Sequence, residues 1–311
     1  MQRLILIRLV EGMITLLIMS MVIFFVVRQT GSPIDLYLPA GATSEQIKEL
    51  ERIFGLDRPL PVQYYSWLWQ VLQGNLGISY QTSLPVSQLI AVGLPNSVKL
   101  ATVALVLAMI PSVMMGVWAA VHRGRTLDYI VRTVAVFGQS VPGFWLGLML
   151  IQLFAVNLGI LPVAGMGTWK HYIMPSMTLG TWALAAYARL LRSSMLEVLD
   201  TDYILLARIK GVPKRGVIWN HALRNALIPV VTFTGVYFSL MITAGVVTET
   251  VFAWPGMGLM LYDAIKLRDF PVVQGMVLVS AAIVIVFNLI VDVLYGYLDP
   301  RIRLGGASGG K

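Results

Sequence analysis

The sequence Asn96–Val121, NSVKLATVALVLAMIPSVMMGVWAAV, carries a single charged residue, Lys99. It is longer than the ~20 apolar residues that a helix needs to cross the hydrocarbon core of a bilayer. Five further blocks of similar character flank it. The six blocks run roughly over residues 4–27, 96–121, 130–156, 174–191, 226–252 and 272–298. The chain is therefore predicted to be an all-α integral membrane protein with six transmembrane helices.

The composition of the whole chain supports this prediction. Of its 311 residues, 57% are hydrophobic and 12% are charged, about half the charged share of an average soluble domain. Inside a bilayer the backbone polar groups must be satisfied within the protein, which helices and closed barrels achieve. The blocks lack the residue-by-residue alternation of barrel strands, so helices are the predicted spanning elements.

Basic residues indicate how the helices are oriented. With the N-terminus in the cytoplasm, 15 of the 23 Lys and Arg residues and 7 of the 15 acidic residues fall on the cytoplasmic side. The whole net charge of +8 then lies on that side, as the positive-inside rule requires. Both termini are predicted to be cytoplasmic.

The basic residues are spread over short membrane-flanking loops without an aromatic platform, which argues against nucleic-acid binding.

Four parts are expected along the chain. Residues 1–28 form a first transmembrane helix, whose apolar run is too long for a cleaved signal peptide. Residues 29–95 form an external loop with short surface helices. Residues 96–303 form a five-helix core with a cytoplasmic loop at 189–225, and residues 304–311 form a flexible tail.

The external loop carries two helix signals. Thr43–Gln46 has the spacing of a capping box, and Gly55 is placed to end the helix that follows. The segment Val62–Trp69 is rich in Tyr and Trp, which favours a helix lying in the membrane interface. This second helix either only caps the bundle or also contacts an external partner.

Residues suited to metal or catalytic chemistry are scarce. The chain has no cysteine and three histidines in different loops, so neither a metal site nor a catalytic residue is assigned. The tail Gly305–Lys311 has the Gly and Lys spacing of a phosphate-binding loop, but it lacks the following Ser or Thr and the flanking strand and helix. ATP hydrolysis, if coupled, is expected on another polypeptide.

Few ionisable residues occur inside the predicted spans, which argues against a carrier driven by an ion gradient, although that class stays open as an alternative. Those present lie toward helix ends: Glu11, Lys99, Glu249 and Asp292. The third helix carries uncharged polar groups instead: Gln139, Ser140, Gln152 and Asn157. These groups either hold helices together or line a wet, weakly selective pathway.

The loop between the fourth and fifth helices is basic and partly amphipathic. Asp202 begins a helical pattern that Gly211 and Pro213 end, and Lys214 starts a second helix that runs into the fifth span. A helix-turn-helix of this kind is too short to fold alone and too basic to enter lipid. It is either a docking surface for a partner protein or a solvated positive-inside loop.

Five strings follow one another in an order that one known family shares. They are Arg189–Leu199 (RLLRSSMLEVL), Asp202–Gly211 (DYILLARIKG), Glu249–Gly258 (ETVFAWPGMG), Arg268–Gly275 (RDFPVVQG) and Asp299–Arg303 (DPRIR). With Gly74–Tyr80 (GNLGISY), they resemble permeases of ABC importers in the dipeptide, oligopeptide and nickel family. The general importer loop begins Glu-Ala-Ala, where this chain has Leu205, Leu206 and Ala207; the peptide and nickel branch has a similar departure.

The resemblance implies a permease subunit of an ATP-driven importer in the bacterial inner membrane. It implies a homologous second permease, two ATPase subunits that hold ATP and magnesium, and an extracytoplasmic substrate-binding protein, besides the surrounding membrane lipid. No cofactor is expected on this chain. Short peptides are the first implied substrate, and nickel or a metal-chelate complex is the alternative.

Two groups of residues are predicted to carry this function. The residues expected to couple to the ATPase subunit are Asp202, Tyr203, Ala207, Arg208, Lys210, Gly211, Arg215, His221 and Arg224. The candidates for the pathway or an outer gate are Gln139, Ser140, Phe252, Trp254, Pro255 and Gly256. The gate prediction rests on the Gly and Pro residues of 249–274, which favour a turn toward the mouth of the bundle; an ordinary hairpin is the alternative.

Overall fold

The computed structural model describes residues 2–32, 34, 43–53 and 55–298. Regular structure in these residues is helical, apart from one isolated bridge between Ile78 and Pro85. The α-helices are α1 (Gln2–Gln29), α2 (Ser44–Ile53), α3 (Leu60–Leu72), α4 (Val86–Val121), α5 (Thr126–Ser140), α6 (Gly143–Leu150), α7 (Lys170–Leu199), α8 (Asp202–Ile209), α9 (Lys214–Gly216), α10 (Leu223–Val251), α11 (Met257–Lys266) and α12 (Phe270–Leu298). Two π-helical segments, Ile151–Asn157 and Val217–Ala222, extend α6 and join α9 to α10. The predicted tail 304–311 and the string Asp299–Arg303 lie outside the described residues.

Several helices have the length and composition of membrane spans. Among the described residues, four pass on length and composition: Ile5–Gln29, Val86–Val121, Lys214–Val251 and Phe270–Val293. The pair α5 and α6, with its π-helical extension, is a fifth candidate that bends by 100° between Ser140 and Gly143. Pro142 lies at this break, where its ring disfavours the helical conformation of the preceding residue, and Val141 is extended.

The remaining predicted span lies within α7, which is 30 residues long but less apolar. A Cβ added at Gly180 would lie 2.9 Å from the Ala104 carbonyl oxygen on α4, and one added at Gly116 of α4 would lie 2.9 Å from Leu191 Cβ. Such close approach of two backbones requires small residues. The buried face of α7 accordingly includes Ser176, Thr178, Gly180, Ala183, Ala185 and Ala188. Because α7 meets protein on this face, its sequence is less apolar than that of a lipid-facing helix.

Contacts along α7 fix the direction of its neighbours. The two close approaches to α4 follow the same order along both helices, so α4 and α7 are parallel. Asp128 at the start of α5 bonds to Arg192 near the end of α7, and Leu150 at the end of α6 packs with Met174 near its start. The bent α5–α6 pair therefore runs antiparallel along α7 between these contacts, over about 27 Å at 1.5 Å per residue. It has the course of one broken span.

The described residues form two compact units. The first, here named the core unit, consists of residues 98–254 with 287–298. The second, here named the N-terminal unit, consists of residues 2–97 with 255–286. The helices α4 and α12 contribute residues to both.

In the N-terminal unit, α2 begins and ends as its sequence predicts. The Thr43 amide donates to Gln46 Oε1 at 3.0 Å, and the Gln46 amide donates to Thr43 Oγ1 at 3.4 Å, which are the reciprocal bonds of a capping box. Gly55 follows with a φ of +65°, and the Leu56 amide donates to the Glu51 carbonyl at 2.8 Å. The helix predicted at Val62–Trp69 is confirmed as α3.

A buried carboxylate in the same unit joins two distant strings of the sequence. Asp269 accepts hydrogen bonds from Ser79 Oγ at 2.5 Å and from the amides of Tyr80 and Gln81 at 3.2 and 3.3 Å. The neighbouring Arg268 has a φ of +51°, which turns the chain sharply before α12. The strings 74–80 and 268–275 thus form one structural feature, which sequence reasoning did not connect.

Candidate functional site

The helix predicted at Asp202 is α8, and one buried side chain anchors it to the core unit. Its N-cap, Thr201, has an extended backbone, and Ile204 is its one buried residue. Asn225 Nδ2 donates a hydrogen bond to Tyr203 Oη at 2.7 Å, which ties α8 to the first turn of α10. The helix also contacts the π-helical segment Val217–Ala222. Most of its surface is open to solvent.

Gly211 ends α8 in a Schellman motif. Its φ is +79°, its amide donates to the Arg208 carbonyl at 3.0 Å, and the Val212 amide donates to the Ala207 carbonyl at 3.1 Å. These two bonds satisfy carbonyls at the helix end. A Cβ at this position would meet no atom within 4 Å, so backbone conformation alone favours glycine.

Exposed apolar side chains lie on one side of α8. Leu205, Leu206 and Ile209 are 54%, 56% and 73% exposed. Positions i, i+1 and i+4 fall within one arc of about 100° on a helix. Arg208 and Lys210 lie beside them and are exposed too. Apolar residues grouped with cations on a short protruding helix are typical of a protein docking surface.

The second arm of the loop begins at Lys214, as predicted. After Pro213, helical structure continues without a break from Lys214 to Val251, with the π-helical segment near its start. Arg215, His221 and Arg224 are exposed along this arm. Of the nine residues predicted to couple, only Ala207 is half-buried, and the other eight are exposed.

An ion pair with a buried carboxylate holds the end of α7 that leads to α8, and sequence reasoning missed it. The Asp128 carboxylate accepts from Arg192 Nε at 2.6 Å and Nη2 at 2.8 Å, and from the Gly124 amide at 3.0 Å. Arg132 Nε lies 3.5 Å from the same carboxylate. The i, i+4 spacing of Asp128 and Arg132 was the available signal, whereas Arg192 is 64 positions away. The bidentate bond fixes the start of α5 against the end of α7.

A groove of about 530 Å³ lies in the core unit where α5 breaks into α6, against α7 and α10. Its lining is mainly apolar and aromatic and includes Phe144, Trp182 and Tyr237. Two lining hydroxyls, Thr178 and Thr181, donate to carbonyls one turn earlier in α7, at 2.9 and 2.6 Å. The walls therefore offer a passing solute little fixed polar recognition.

The predicted pathway residues Gln139 and Ser140 lie at the end of α5, beside this groove. Their neighbours Gly138 and Val141 line it, while they do not. Ser140 Oγ donates to the Val136 carbonyl at 2.9 Å. Gln152 Nε2 likewise donates to Asn157 Oδ1 at 3.0 Å. Of the four polar residues predicted to lie in the third span, Ser140, Gln152 and Asn157 thus form local hydrogen bonds within their own helical segment.

The predicted gate residues Phe252 and Trp254 lie in the interior of the core unit. Phe252 packs with Leu150 and Met174, and the Trp254 ring meets Tyr172 edge to face, with 4.6 Å between centroids. Both side chains are buried. In this conformation they support the end of α10 and present no surface to a solute.

Pro255 and Gly256 begin the part of the N-terminal unit that contains α11. Asn96 Nδ2 donates to the Pro255 carbonyl at 2.9 Å, and Ser97 Oγ accepts from the Met257 amide at 2.9 Å. Gly256 is the N-cap of α11. The segment 249–274 is therefore not one continuous helix, as its Gly and Pro residues predict.

Ionisable residues of the predicted spans have varied surroundings. Glu11 pairs with Arg8 at 2.9 Å on an exposed face, Lys99 is exposed, and Glu249 is buried near the end of α10. Among the residues that the structure describes, no group of three or more His, Cys, Asp or Glu side chains could hold a metal ion.

The sequence matches two family models that together span most of the chain. Residues 112–304 match the binding-protein-dependent transport system inner membrane component, and residues 1–101 match the N-terminal part of that membrane component. The chain therefore belongs to the family of binding-protein-dependent transport system inner membrane components. It is a permease subunit of an ABC importer, a transport subunit.

Individual relatives agree with this assignment. The glutathione transport system permease protein GsiC of Salmonella choleraesuis (strain SC-B67) is 42% identical over 290 residues, which cover 93% of this chain and 95% of that protein. GsiC of Escherichia coli (strain K12) is 41% identical with the same coverage. Among solved structures, the inward-facing MetNI methionine ABC transporter aligns with a TM-score of 0.56 at 17% identity, over 68% of this chain and 97% of that chain. The predicted all-α permease fold is confirmed.

Proposed function

We propose that this chain forms half of a translocation pathway for short peptides. A homologous second permease completes the pathway, two ATPase subunits drive it, and an extracytoplasmic binding protein delivers the solute. The substrate class is supported by the relatives of about 42% identity named for glutathione transport, since glutathione is a small peptide.

The observation that carries the proposal is the exposed face of α8. A helix with one buried anchor and three largely exposed apolar side chains reaches a lower free energy when a partner covers that face. Of the nine residues named for coupling, Asp202, Tyr203, Ala207 and Arg208 belong to α8 itself, and the ATPase subunits, which hold ATP and magnesium, are the proposed partner. ATP-driven closure of these subunits would move α8, and the tie from Tyr203 to Asn225 would pass that movement to α10.

The groove at the break between α5 and α6 is the proposed pathway wall. Its mainly apolar lining suits a solute selected elsewhere, so the binding protein supplies most of the specificity. Gln139 and Ser140 are placed at its edge. Phe252 and Trp254, with Pro255 and Gly256, act in this proposal by supporting the turn after α10, and they would reach the solute only after a rearrangement.

Uptake measurements test the function. Sealed right-side-out vesicles with the assembled transporter and its binding protein are given labelled glutathione, a dipeptide or Ni²⁺ outside and ATP inside, alone, with enclosed vanadate or with a protonophore. Peptide uptake that vanadate abolishes and a protonophore spares is expected. Uptake of Ni²⁺ alone would favour the metal-chelate alternative, and uptake that stops only with the protonophore would favour an ion-driven carrier.

Single cysteines test the proposed orientation, because the chain has none of its own. A cysteine at Ser44 should react with an impermeant thiol reagent in spheroplasts, and one at Lys214 only after permeabilisation. Both positions are exposed. The reverse pattern would place α8 on the side away from ATP and would refute the coupling proposal independently of the substrate.

A further inference from the structure

A polar cavity of about 690 Å³ lies in the N-terminal unit and shares no lining residue with the groove or with the nine coupling residues. The end of α1, the end of α2, α3, the 75–83 loop and the start of α12 form its walls. A ligand held there would be bound independently of the transported solute, whichever solute that is.

The charge of the cavity is one-sided. Arg28, Arg52 and Arg58 line it, and no Asp or Glu is among its described lining residues. Arg52 has an ion pair with Glu49 at 3.8 Å, but both side chains are largely exposed, so that pair neutralises little of the charge. Three guanidinium groups around one cavity favour an anionic ligand.

Arg28 is held in place for such a role. Its Nε donates to Gln63 Oε1 at 2.9 Å, its Nη1 donates to the Phe24 carbonyl at 3.3 Å, and its guanidinium carbon lies 3.4 Å from the centroid of the Phe24 ring. A guanidinium has five N–H donors, more than these bonds use. Gln63 is buried, and its Nε2 donates to the Arg58 carbonyl at 2.7 Å. The cationic wall is thus preorganised by a buried amide.

An independent observation points to a ligand that accepts hydrogen bonds. Gln274 lines the cavity and is 3% exposed. Its Nε2 donor has no hydrogen-bond partner among the described residues. A buried amide donor without an acceptor destabilises the protein, and an oxygen-rich group in the cavity would remove this cost.

The surroundings place the cavity at the edge of an apolar zone. The side of α1 that leads to Arg28 exposes Ile18, Val22 and Phe25. On α3, Tyr65 and Trp69 are exposed as well. Apolar side chains that end at an arginine, beside exposed Tyr and Trp, are typical of the level of lipid headgroups.

From these observations we propose that the cavity binds the phosphate headgroup of an anionic phospholipid. The phosphodiester oxygens accept hydrogen bonds from the arginines and from Gln274. The acyl chains lie along the exposed apolar side of α1. Bound lipid then fixes α1 and α3 to the start of α12.

Lipid binding by the full-length purified protein tests this proposal. Phosphatidylglycerol and phosphatidylcholine are titrated in a neutral detergent and followed by native mass spectrometry. Phosphatidylglycerol should bind more tightly, and the exposed double variant Arg52→Gln/Arg58→Gln should weaken it about fivefold for each arginine. The matched control Lys48→Gln/Lys266→Gln removes two exposed charges from the same unit outside the cavity and should bind as the unaltered protein does.

A substitution at the buried residue Gln274 gives a second measurement. Gln274→Glu places a carboxylate among the arginines, so phosphatidylglycerol binding should be lost while the melting temperature in lipid-free detergent is maintained. Equal affinity for both lipids, or full binding by the double arginine variant, would overturn the proposal. Competition by inorganic phosphate or glutathione at the concentration of the lipid would also overturn it, since the site would then recognise a soluble anion.

Discussion

The two ends of α7 are held by different chemistry. At one end Arg192 is fixed by a bidentate bond to Asp128, and at the other Met174 lies in an apolar cluster with Leu150 and Phe252. A bidentate ion pair requires a defined distance and angle, whereas apolar contact is non-directional. The end near α8 is therefore set in a fixed position, whereas the apolar contacts at the end near the turn after α10 do not require one geometry.

The largest loss of stability is expected from Phe252→Ala. Removing a buried ring from the apolar cluster should cost about 3–5 kcal/mol, because the neighbours cannot fill the space. The melting temperature of the detergent-purified protein measures this, and Phe252→Leu should lose much less. If Phe252→Ala melts like the unaltered protein, the cluster does not hold this end of α7. Loss of uptake in alanine variants of Phe252 or Trp254 would not by itself identify a gate.

A smaller loss is expected from Asp128→Asn, which keeps the shape of the side chain and removes its charge. Breaking a fully buried ion pair costs about 3–5 kcal/mol, but the Arg192 side chain is 21% exposed and water offsets part of this, which leaves about 2 kcal/mol. The matched control is Asp200→Asn. Its pair with Arg123 is 3.7 Å long with side chains 75% and 66% exposed, so the change should be below about 1 kcal/mol. Equal melting of the two variants would contradict the fixed position of this end.

At Gly211 the expected loss is local to α8. An alanine there must adopt a positive φ, at a cost of about 1–2 kcal/mol, while asparagine tolerates that conformation better. Hydrogen exchange of the α8 amides should accelerate at least about fivefold in Gly211→Ala and less in Gly211→Asn. If the α8 amides exchanged at the same rate in Gly211→Ala as in Gly211→Asn, the Schellman motif would not limit the opening of α8.

The smallest effect on stability is expected from Ile209→Ser, below about 0.5 kcal/mol. Under the proposed function this variant should nonetheless reduce the amount of ATPase subunit that co-purifies, because it weakens the exposed apolar face of α8. The control is Leu72→Ser on α3, since Leu72 is 72% exposed and Ile209 is 73% exposed. Equal co-purification in both variants would remove α8 as the docking surface.

Local features of the fold could be predicted from the sequence, because their signals lie within a few residues. The capping box at Thr43, the end of α8 at Gly211 and the start of the second arm at Lys214 are confirmed for this reason. The long apolar blocks predicted helices for the same reason. The predicted span within α7 deviates in composition, because buried small residues replace lipid-facing ones.

Features that join distant residues were not predictable. The pairs Asp128 with Arg192 and Ser79 with Asp269 are 64 and 190 positions apart, and no local pattern connects them. Apolar contact by Phe252 and Trp254 was expected, but their partners Leu150, Met174 and Tyr172 are distant in sequence and no local pattern identifies them. The coupling residues stay predictions of role, because exposure makes docking feasible and does not identify a partner.

The π-helical segment Val217–Ala222 makes the rod Lys214–Val251 mechanically uneven. Its wider turns interrupt the regular α-helical ladder near the point where α8 contacts the rod. Bending there requires fewer α-helical bonds to change than bending within the regular turns of α10, whose other interruption is at Pro229. The 29 residues of α10 beyond it form an arm of about 43 Å, so a tilt of about 5° would carry its far end roughly 4 Å.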